Sequence, residues 1–342
     1  MTDASVPVPV LAKNQPAIEI EALSKVYQNK KEVVPAVKGL NLTVPAGQIF
    51  GFLGANGAGK TTTIKMICGL IIPTTGCVRV NGYNVIHERS KAMRQIGAVL
   101  EGTRNIYWRL SAWENLMYFG SLKSCPRPER QARAKQLLQE LDLWKRRDDP
   151  VRLFSRGMQQ KVAIACALIA DPPIVLLDEP TLGLDLQAAR AVKAWISMLA
   201  NERGKTVLLT THQLDMAQEL CHRVAIMRQG DLLTDQPLTD LLHLFQQAHY
   251  QIKIDGHLTE PPPNWCDGLS IATNEGITTL SGAIDDQAKI YDLLAHLGRL
   301  QLPLLSTERV KTSLEDVFIH LIEEKKEEKE EQHEQCLVSH LQ

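Results

Sequence analysis

A glycine-rich segment between two apolar segments constrains the fold of this chain more than any other feature. Residues 54–61 read Gly-Ala-Asn-Gly-Ala-Gly-Lys-Thr and match the pattern G-x-x-x-x-G-K-S/T. Residues 48–53 before it form a short apolar run, and residues 62–71 after it have apolar side chains at helical spacing. A strand, a glycine loop and a helix in this order predict a phosphate-binding loop within an α/β fold.

The residue types of this loop suit the chemistry of a nucleoside triphosphate. Glycines let backbone N–H groups curl around phosphate oxygens, and the helix that follows adds its positive N-terminal dipole. Lys60 would reach the β and γ phosphates, and the Thr61 hydroxyl can ligate Mg²⁺. A glycine turn with a solvated lysine is the alternative. The expected nucleotide-binding residues are Gly54, Ala55, Asn56, Gly57, Ala58, Gly59, Lys60, Thr61 and Thr62.

Two consecutive carboxylates form the second chemical signal. Asp178 and Glu179 follow the apolar run 174–177, which is typical of a central parallel strand buried on both faces. Ligands of open α/β sheets bind at the carboxyl ends of such strands. Strands often end in acidic helix caps, but the phosphate loop upstream favours a functional role. We expect Asp178 to position Mg²⁺ and Glu179 to polarise the attacking water as a general base.

Further motifs occur in an order that makes residues 18–242 resemble the nucleotide-binding subunit of ATP-binding-cassette (ABC) transporters. Residues 154–165, Phe-Ser-Arg-Gly-Met-Gln-Gln-Lys-Val-Ala-Ile-Ala, resemble the ABC signature and its helix. Residues 182–185, Leu-Gly-Leu-Asp, resemble the dimer-contacting D-loop, and His212 resembles the switch histidine after the strand 207–210. Tyr27 lies where this family stacks an aromatic ring on adenine.

The resemblance implies an ATPase that works as a head-to-tail homodimer with ATP and Mg²⁺. Each ATP would lie between the phosphate loop of one subunit and the signature of the other. Catalysis is assigned to Glu179, His212 and Lys60, and further ATP contacts to Ser155, Gly157 and Asp185. His222 matches no motif of the family and is given no role.

Two motifs depart from the family pattern. The signature usually reads Ser-Gly-Gly-Gln, but here Ser155 is followed by Arg156, Gly157 and Met158. Arg156 either adds positive charge near the phosphates or points away, and Met158 is interpreted as a packing residue. Glu101 stands where the family usually has the Q-loop glutamine. Its carboxylate accepts hydrogen bonds only, whereas an amide also donates, so its role as a third metal ligand beside Thr61 and Asp178 stays open.

The chain is long enough for about two domains. The fold class expected from these patterns is an α/β phosphate-loop ABC cassette, with a mixed sheet and a helical signature subdomain, followed by a small α+β domain. The expected boundaries are a flexible leader at 1–16, the cassette at 17–242 with its helical subdomain at about 102–170, the C-terminal domain at 246–322, and a charged, disordered tail at 323–342.

Composition excludes several classes of protein. Thirty-eight basic and 39 acidic side chains give a net charge of −1, which argues against a nucleic-acid partner. There is no window of about 18 apolar residues, so no membrane span is expected, and the N-terminus lacks a secretory signal. The seven cysteines are scattered and without C-x-x-C pairs, as in cytosolic proteins with free thiols.

Two segments indicate the partner and the subtype. Residues 101–119 are rich in aromatic side chains, among them Tyr107, Trp108 and Trp113. These rings either pack a helical subdomain or form the groove in which this family receives a transmembrane partner, and both can hold for different rings. Residues 312–318, Thr-Ser-Leu-Glu-Asp-Val-Phe, resemble the C-terminal ending of exporter ATPases whose permease is a separate chain. Leu314, Val317 and Phe318 would form the apolar stripe of a helix.

We therefore expect an ATPase subunit that powers an exporter, peripheral to the cytoplasmic face of the inner membrane. A soluble ABC ATPase acting on ribosomes or nucleic acid is the alternative. Such relatives usually carry two cassettes or a long coiled-coil insert, and neither is found in this sequence. A non-hydrolysing regulatory binder is a third class. It is disfavoured because Glu179 and His212 are both present.

Overall fold

The structure, a computed structural model, describes residues 15–29, 32–102, 105–244, 249–258, 269–274, 276–284, 286–310, 313–319 and 321. Most of the predicted leader, all of the predicted tail, Cys266 and Cys336 lie outside these ranges. The five cysteines within them are free. The chain divides by its internal contacts into two compact units, Met1–Leu238 and Thr239–Gln342. Among the described residues, none of the helices has both the length and the apolar character needed to cross a bilayer.

The first unit alternates strands and helices, as its sequence predicts. In chain order its elements are β1 (Ile18–Asn29), β2 (Glu32–Val44), β3 (Ile49–Leu53), α1 (Lys60–Ile67), β4 (Thr75–Val80), β5 (Tyr83–Asn84), α2 (Arg89–Arg94), β6 (Ile96–Val99), α3 (Ala112–Leu122), α4 (Arg127–Glu140), α5 (Arg156–Leu168), β7 (Ile174–Asp178), α6 (Leu186–Asn201), β8 (Thr206–Thr211), α7 (Leu214–Leu220), β9 (Arg223–Arg228) and β10 (Asp231–Pro237). The helix α8 (Leu238–Leu244) follows at the boundary between the units.

A six-stranded sheet in the order β10-β9-β3-β8-β7-β6 forms the centre of this unit. Its strands run parallel except β10, which pairs antiparallel with β9. Every residue of β3, β7 and β8 is buried, which explains why these strands are apolar runs without alternation. Because β3, β6, β7 and β8 are parallel, the segments that follow them meet at one edge of the sheet.

An antiparallel sheet in the order β2-β1-β4-β5 lies in the same unit. Its inward side chains, such as Ile20, Leu40 and Val78, share one buried cluster with Phe50 and Phe52 of β3. The alternation predicted for residues 18–21 and 40–44 is therefore that of a sheet with one buried face.

The helical stretch predicted over residues 111–143 is two helices, α3 and α4. Ser124 adopts a left-handed conformation with φ 58°, and Pro126 precedes the first turn of α4. Both features interrupt helical hydrogen bonding, and they divide the apolar pattern between two helices. The helix predicted at 62–71 instead begins at Lys60 and ends at Ile67, before Gly69 with φ 62°.

The second unit contains a four-stranded antiparallel sheet in the order β12-β13-β11-β14. Its elements are β11 (His249–Asp255), β12 (Ser270–Asn274), β13 (Ile277–Ala283), α9 (Gln287–Arg299), β14 (Leu304–Val310) and α10 (314–319). Side chains of α9, Leu293 and Leu297 among them, pack with Ile252 and Leu280 of the sheet. Leu314 and Val317 are fully buried, which confirms the packing role predicted for these two residues, and Phe318 is half-buried.

Candidate active site

The glycine loop between β3 and α1 is held in a shape that only glycine permits. A Cβ atom at Gly54 would lie 2.3 Å from the carbonyl oxygen of Met227, and one at Gly59 would lie 2.4 Å from that of Ala36. Both glycines have positive φ, 150° and 106°. The loop therefore passes close to the backbones of β9 and β2, and a side chain at either glycine would push it away.

The lysine of this loop is buried where phosphate would bind. Lys60 is 6 % exposed, and its Nζ donates to the carbonyl oxygens of Gly54 at 2.7 Å and Ala55 at 3.1 Å. Gly59 is the N-cap of α1, and among the described residues no side chain caps that helix end. An ammonium group and the N–H groups of an uncapped helix end together make a site for an anion.

Asp178 connects three segments at the edge of the sheet. Its side chain is buried, and Oδ1 accepts hydrogen bonds from the hydroxyls of Thr61, at 3.4 Å, and Thr210. Its Oδ2 accepts from the Glu101 N–H at 3.4 Å. A carboxylate beside a threonine hydroxyl is an all-oxygen ligand set of the kind that Mg²⁺ prefers, so these residues fit the predicted metal.

Glu179 and His212 contact each other at the same edge. The His212 Nδ1 lies 2.9 Å from Oε1 of Glu179, whose side chain is 8 % exposed. Glu179 has a left-handed backbone with φ 49°, and its N–H donates to the Thr210 carbonyl oxygen at 3.1 Å. This conformation is uncommon for a residue with a side chain, and strain of this kind is concentrated at functional sites.

The electrostatic environment of Lys60 reflects both burial and nearby carboxylates. Burial lowers the pKa of Lys60, while the negative charges of Glu179, Asp178 and Glu101 act to raise it, in that order of effect. The net pKa shift is downward. Three carboxylates thus act on one ammonium group, and one of them is the glutamate at the Q-loop position.

A cleft of about 540 Å³ brings most of the predicted residues together. It is lined by the loop and helix residues 56–62, by Glu101, Glu179 and His212, and by Ala36 and Leu182. Seven of the predicted residues are not part of this lining, namely Tyr27, Gly54, Ala55, Ser155, Gly157, Asp178 and Asp185.

The signature residues take part in helix capping and close packing. The Ser155 Oγ accepts from the Met158 N–H at 3.3 Å and caps α5, and Asp185 caps α6 through the Ala188 N–H at 2.8 Å. A Cβ at Gly157 would lie 2.6 Å from the Cβ of Ala188, so the first turns of α5 and α6 are in contact. Ser155 and Asp185 are themselves exposed.

Arg156, which departs from the family signature, lies against the D-loop. A Cβ at Gly183 would lie 2.4 Å from its Nη1 and 2.6 Å from its Cζ. Arg156 is among the residues that line a second cleft, of about 160 Å³, as are Glu101, Asp178 and Glu179. The Arg156 side chain is exposed and lies against the turn that contains Gly183.

Tyr27, which the resemblance places against adenine, is exposed by 41 %. Its backbone pairs with Val34 of β2, two residues before Ala36 of the cleft lining. The Lys25 Nζ lies 5.3 Å from the centroid of its ring. The ring is thus near the phosphate loop along β2 and retains exposed surface for stacking.

Sequence reasoning missed two residues of the site. Thr210 donates to Asp178 and accepts from the Glu179 N–H, yet the sequence pattern indicates only that it ends an apolar strand. A hydroxyl at 0 % exposure in such a strand is a usable signal, because buried polar groups need partners. Ala36 lines the cleft through the approach of β2, and no local pattern marks it.

The aromatic segment after β6 has two environments. Trp113 packs edge-to-face on Trp144 with ring centroids 6.1 Å apart. Tyr107 and Trp108 are 49 % and 47 % exposed, and Tyr107 stacks edge-to-face on the exposed Tyr118. Trp113 therefore packs the subdomain, and the other three rings present an exposed aromatic surface.

Comparison with known proteins gives two family matches. The family described as "ABC transporter" matches residues 37–182. A domain of unknown function matches residues 249–308, within the second unit. The first match spans the phosphate loop, the signature and the carboxylate pair.

Curated relatives cover most of the chain. The linearmycin resistance ATP-binding protein LnrL of Bacillus subtilis (strain 168) is 33 % identical over 89 % of this chain and 97 % of its own length. The daunorubicin/doxorubicin resistance ATP-binding protein DrrA of Streptomyces peucetius is 33 % identical over 89 % of this chain and 92 % of its own. The ABC transporter ATP-binding protein NatA of Bacillus subtilis (strain 168) is 39 % identical over 63 % of this chain and 87 % of its own.

Solved structures give the same result for the fold. An ATP-binding subunit of an ABC transporter superposes with a TM-score of 0.60 at 31 % identity, covering 67 % of this chain and 93 % of that one. A dimeric ATP-binding cassette in a post-hydrolysis state with ADP and Pi superposes with a TM-score of 0.59 at 28 % identity. This match covers 65 % of this chain and 98 % of that one. The predicted fold class is thereby confirmed.

Proposed function

This chain belongs to the ABC transporter family of ATP-binding proteins, and from that premise we propose that it powers an exporter of antibiotic-like or drug-like compounds. It is an ATP-hydrolysing subunit with ATP as substrate and Mg²⁺ as cofactor. The exporter assignment is supported by the resistance proteins among its relatives, which match both of its units. It is preferred over the soluble alternative for the same reason.

The observation that carries the ATP-hydrolysing part of the proposal is the meeting of four strand ends. The phosphate loop follows β3, Glu101 follows β6, and His212 follows β8, while Asp178 ends β7 and Glu179 comes directly after it. Residues of the loop, Glu101, Glu179 and His212 line one cleft. A phosphate chain, a metal and a water could be bound there by groups with suitable chemistry for each. This convergence distinguishes a hydrolytic site from a glycine turn.

We assign the reaction to side chains of that cleft. Lys60 and the N-terminus of α1 would hold the β and γ phosphates, and Thr61 with Asp178 would hold Mg²⁺. The metal supplies neutralisation of charge on the phosphate oxygens. Glu179 would accept a proton from the attacking water, and His212, 2.9 Å away, would orient that carboxylate and contact the γ-phosphate.

The homodimer is a further part of the proposal. Relatives in this family form dimers, and one solved neighbour is a dimer with ADP and Pi. Ser155 and Asp185 are exposed and lie outside the lining of their own chain's cleft. In a head-to-tail pair they would be available to the nucleotide bound by the other subunit, with the N-terminus of α5 directed at phosphate.

The transmembrane partner is proposed to be a permease on a separate chain. ABC ATPases of this kind work with such permeases, and the exposed rings of Tyr107, Trp108 and Tyr118 form a surface suited to one. We place the protein peripherally on the cytoplasmic face of the inner membrane. No nucleic-acid partner is proposed.

A capture experiment tests the assignment. Tagged Glu179→Gln protein, which should bind ATP without cleaving it, is recovered from detergent-solubilised membranes with Mg-ATP. A polytopic membrane protein in near-stoichiometric amount is the expected companion. The matched control is Lys60→Ala, which should not retain the nucleotide-bound dimer. Recovery of ribosomal proteins or a DNA-processing complex in place of a membrane protein would favour the soluble class.

A further inference from the structure

A second contact joins the two segments that carry Glu179 and His212. The hydroxyl of Thr181, two residues after Glu179, donates to Oε1 of Gln213 at 2.9 Å. Gln213 directly follows His212 in the sequence. The Thr181 side chain is buried, with 6 % exposure, whereas His212 is exposed. The segments after β7 and β8 are therefore joined at two places, and the donor of the second contact is shielded from water.

The backbone between Thr181 and Glu179 has little freedom. The residue between them is Pro180, whose ring fixes its φ at about −65°. Glu179 has the left-handed φ of 49°, and its N–H donates to the Thr210 carbonyl oxygen at 3.1 Å. The Leu182 N–H donates to the Glu179 carbonyl oxygen at 3.1 Å and closes a turn over these residues. Because so few backbone angles can change, a shift of Thr181 moves the Glu179 carboxylate with it.

A turn also connects Gln213 to His212. The Gln213 N–H donates to Oγ1 of Thr211 at 3.0 Å, so a turn closed by a threonine side chain has His212 at its centre. Gln213 is the N-cap residue of α7, and the Ala217 N–H donates to its carbonyl oxygen at 3.3 Å. The place of Gln213 thus sets where the imidazole of His212 lies.

The Thr181 hydroxyl has one strong acceptor within reach. Its Oγ1 also lies 3.2 Å from Sδ of the buried Met216, but a thioether is a weak acceptor, and the hydroxyl has a single proton to donate. A buried donor without a good acceptor is unfavourable. The hydroxyl therefore favours the arrangement in which Gln213, and His212 with it, is close to the turn that follows Glu179.

We propose that Thr181 and Gln213 are positioning residues for ATP hydrolysis, and that their hydrogen bond holds Glu179 and His212 at their 2.9 Å contact. Both lie outside the lining of the nucleotide cleft, so they act through Glu179 and His212 and not on ATP. Displacing a reacting group by about 1 Å can cost on the order of 10²-fold in rate. The inference rests on the proposed function, because it concerns how the general base of that same site is placed.

Loss of this hydrogen bond should lower kcat of Mg-ATP hydrolysis without changing KM. Thr181→Val removes the hydroxyl at similar volume, and Gln213→Leu removes the acceptor. In the full-length protein each should lower kcat about tenfold and keep KM and equilibrium ATP binding within about twofold, because the phosphate loop is unchanged. Thr181→Ser, which keeps the hydroxyl, should retain the kcat of the parent. The double variant should be no slower than either single variant, since both changes remove the same bond.

A buried threonine of the second unit provides the matched control. Thr278 is fully buried, and its hydroxyl donates to the Gly256 carbonyl oxygen at 2.6 Å. Thr278→Val should leave kcat unchanged, and urea unfolding measures the stability of every variant. An equal fall of kcat in Thr278→Val and Thr181→Val would assign the effect to lost stability and overturn the proposal.

Two further outcomes would contradict the positioning role. One is that Thr181→Val and Gln213→Leu each keep more than half of the kcat of the parent, and the other is that their losses multiply in the double variant. Gln213 is exposed, so Gln213→Leu still tests the role if Thr181→Val does not fold. If the parent neither binds nor cleaves ATP, the proposed function fails; if it does both and these variants match it, only this inference fails.

Discussion

At the scale of single residues, the site depends on a few side chains and backbone conformations that no other residue type provides. Glu179 combines a left-handed φ of 49° with a 2.9 Å contact to His212. Gly54 combines a positive φ with a backbone atom where its Cβ would be. Sequence motifs find such residues because their identity is set by local chemistry and geometry.

Replacing Glu179 by glutamine should abolish cleavage while ATP binding persists. An amide keeps the size and the acceptor oxygen but cannot take a proton, so hydrolysis should fall by about 10²–10⁴-fold. Phosphate release and equilibrium ATP binding are the measurements. Glu202→Gln at the exposed end of α6 is the control. Retention of more than a tenth of the activity would remove Glu179 from the role of general base.

Gly54→Ala should disrupt the phosphate loop more than Gly57→Ala. Both have positive φ, but a Cβ at Gly57 meets no atom within 4 Å, whereas one at Gly54 overlaps the Met227 carbonyl oxygen. The free energy of unfolding should fall by about 2–3 kcal/mol for Gly54→Ala and by about 1 kcal/mol for Gly57→Ala. Urea unfolding measures both. Equal losses of unfolding free energy in the two variants would show that the phosphate loop can move away from β9 at no cost.

At the scale of secondary-structure elements, buried polar groups and ion pairs join the helices to the sheet. α3 is anchored at its start by a capping box between Ser111 and Glu114. Asp171, just before β7, forms ion pairs with two basic side chains. One is Arg133 of α4, and the other is Lys205, just before β8, at 2.7 Å. These contacts hold the helical subdomain beside the strands whose ends form the site.

Asn115→Ala should loosen the segment that carries the exposed aromatic rings. Asn115 is fully buried, its Oδ1 accepts from the Tyr107 N–H at 2.7 Å, and its Nδ2 donates to the Tyr107 and Ser111 carbonyl oxygens. Removal leaves these backbone groups unpaired, so the free energy of unfolding should fall by about 2–3 kcal/mol. Hydrogen exchange at Tyr107 should accelerate. Gln136→Ala on the exposed face of α4 is the control. If the Tyr107 N–H is equally protected from hydrogen exchange in both variants, Asn115 does not anchor this segment.

The ion pairs of Asp171 should make stability depend on acidic pH. Burial acts to raise the pKa of Asp171, but Lys205 and Arg133 together hold it below its ordinary value. A carboxylate with a lowered native pKa stabilises the fold above its unfolded pKa of about 3.9 and loses that contribution as pH falls through the native pKa. The parent should therefore lose stability below about pH 4 more steeply than Asp171→Asn.

The same variant has an expected cost at neutral pH. Asp171 is half exposed, so Asp171→Asn should lower the free energy of unfolding at pH 7 by only about 1 kcal/mol. Asparagine tolerates the left-handed φ of 53° at this position. Urea unfolding at pH 7 and pH 3 measures both effects, with the exposed Asp148→Asn as control. If the free energy of unfolding falls with pH in parallel for the parent and Asp171→Asn, the ion pairs of Asp171 are not the cause of the acid sensitivity.

At the scale of the whole molecule, the proposed function requires a second copy to complete the site. We expect Glu179→Gln to elute as a dimer in gel filtration with Mg-ATP and as a monomer without it. ATP would connect the phosphate loop of one subunit to Ser155 of the other. Adding Lys60→Ala should return the protein to the monomer. A monomer peak at high protein concentration, with ATP demonstrably bound, would contradict the dimer.

The sequence predicted the fold class and the meeting of the phosphate loop, carboxylates and histidine, because each follows a buried parallel strand. It did not predict β12 or β10, and the reason is physical. Every residue of β12 is exposed and every residue of β10 is half-buried, so neither has an apolar alternation or run. The contact of Arg156 with Gly183 depends on the approach of two distant segments and leaves no local pattern.

The strand order of the central sheet also bears on how the protein is made. β3 carries the phosphate loop, yet its neighbours in the sheet are β8 and β9, which begin about 160 residues later. At the usual pace of about 5–20 residues per second, a ribosome needs roughly 8–30 s to supply them. During that interval the nascent loop has no sheet on either side to hold it. ATP capture should therefore begin only after residue 228 has left the exit tunnel, late in synthesis of the first unit.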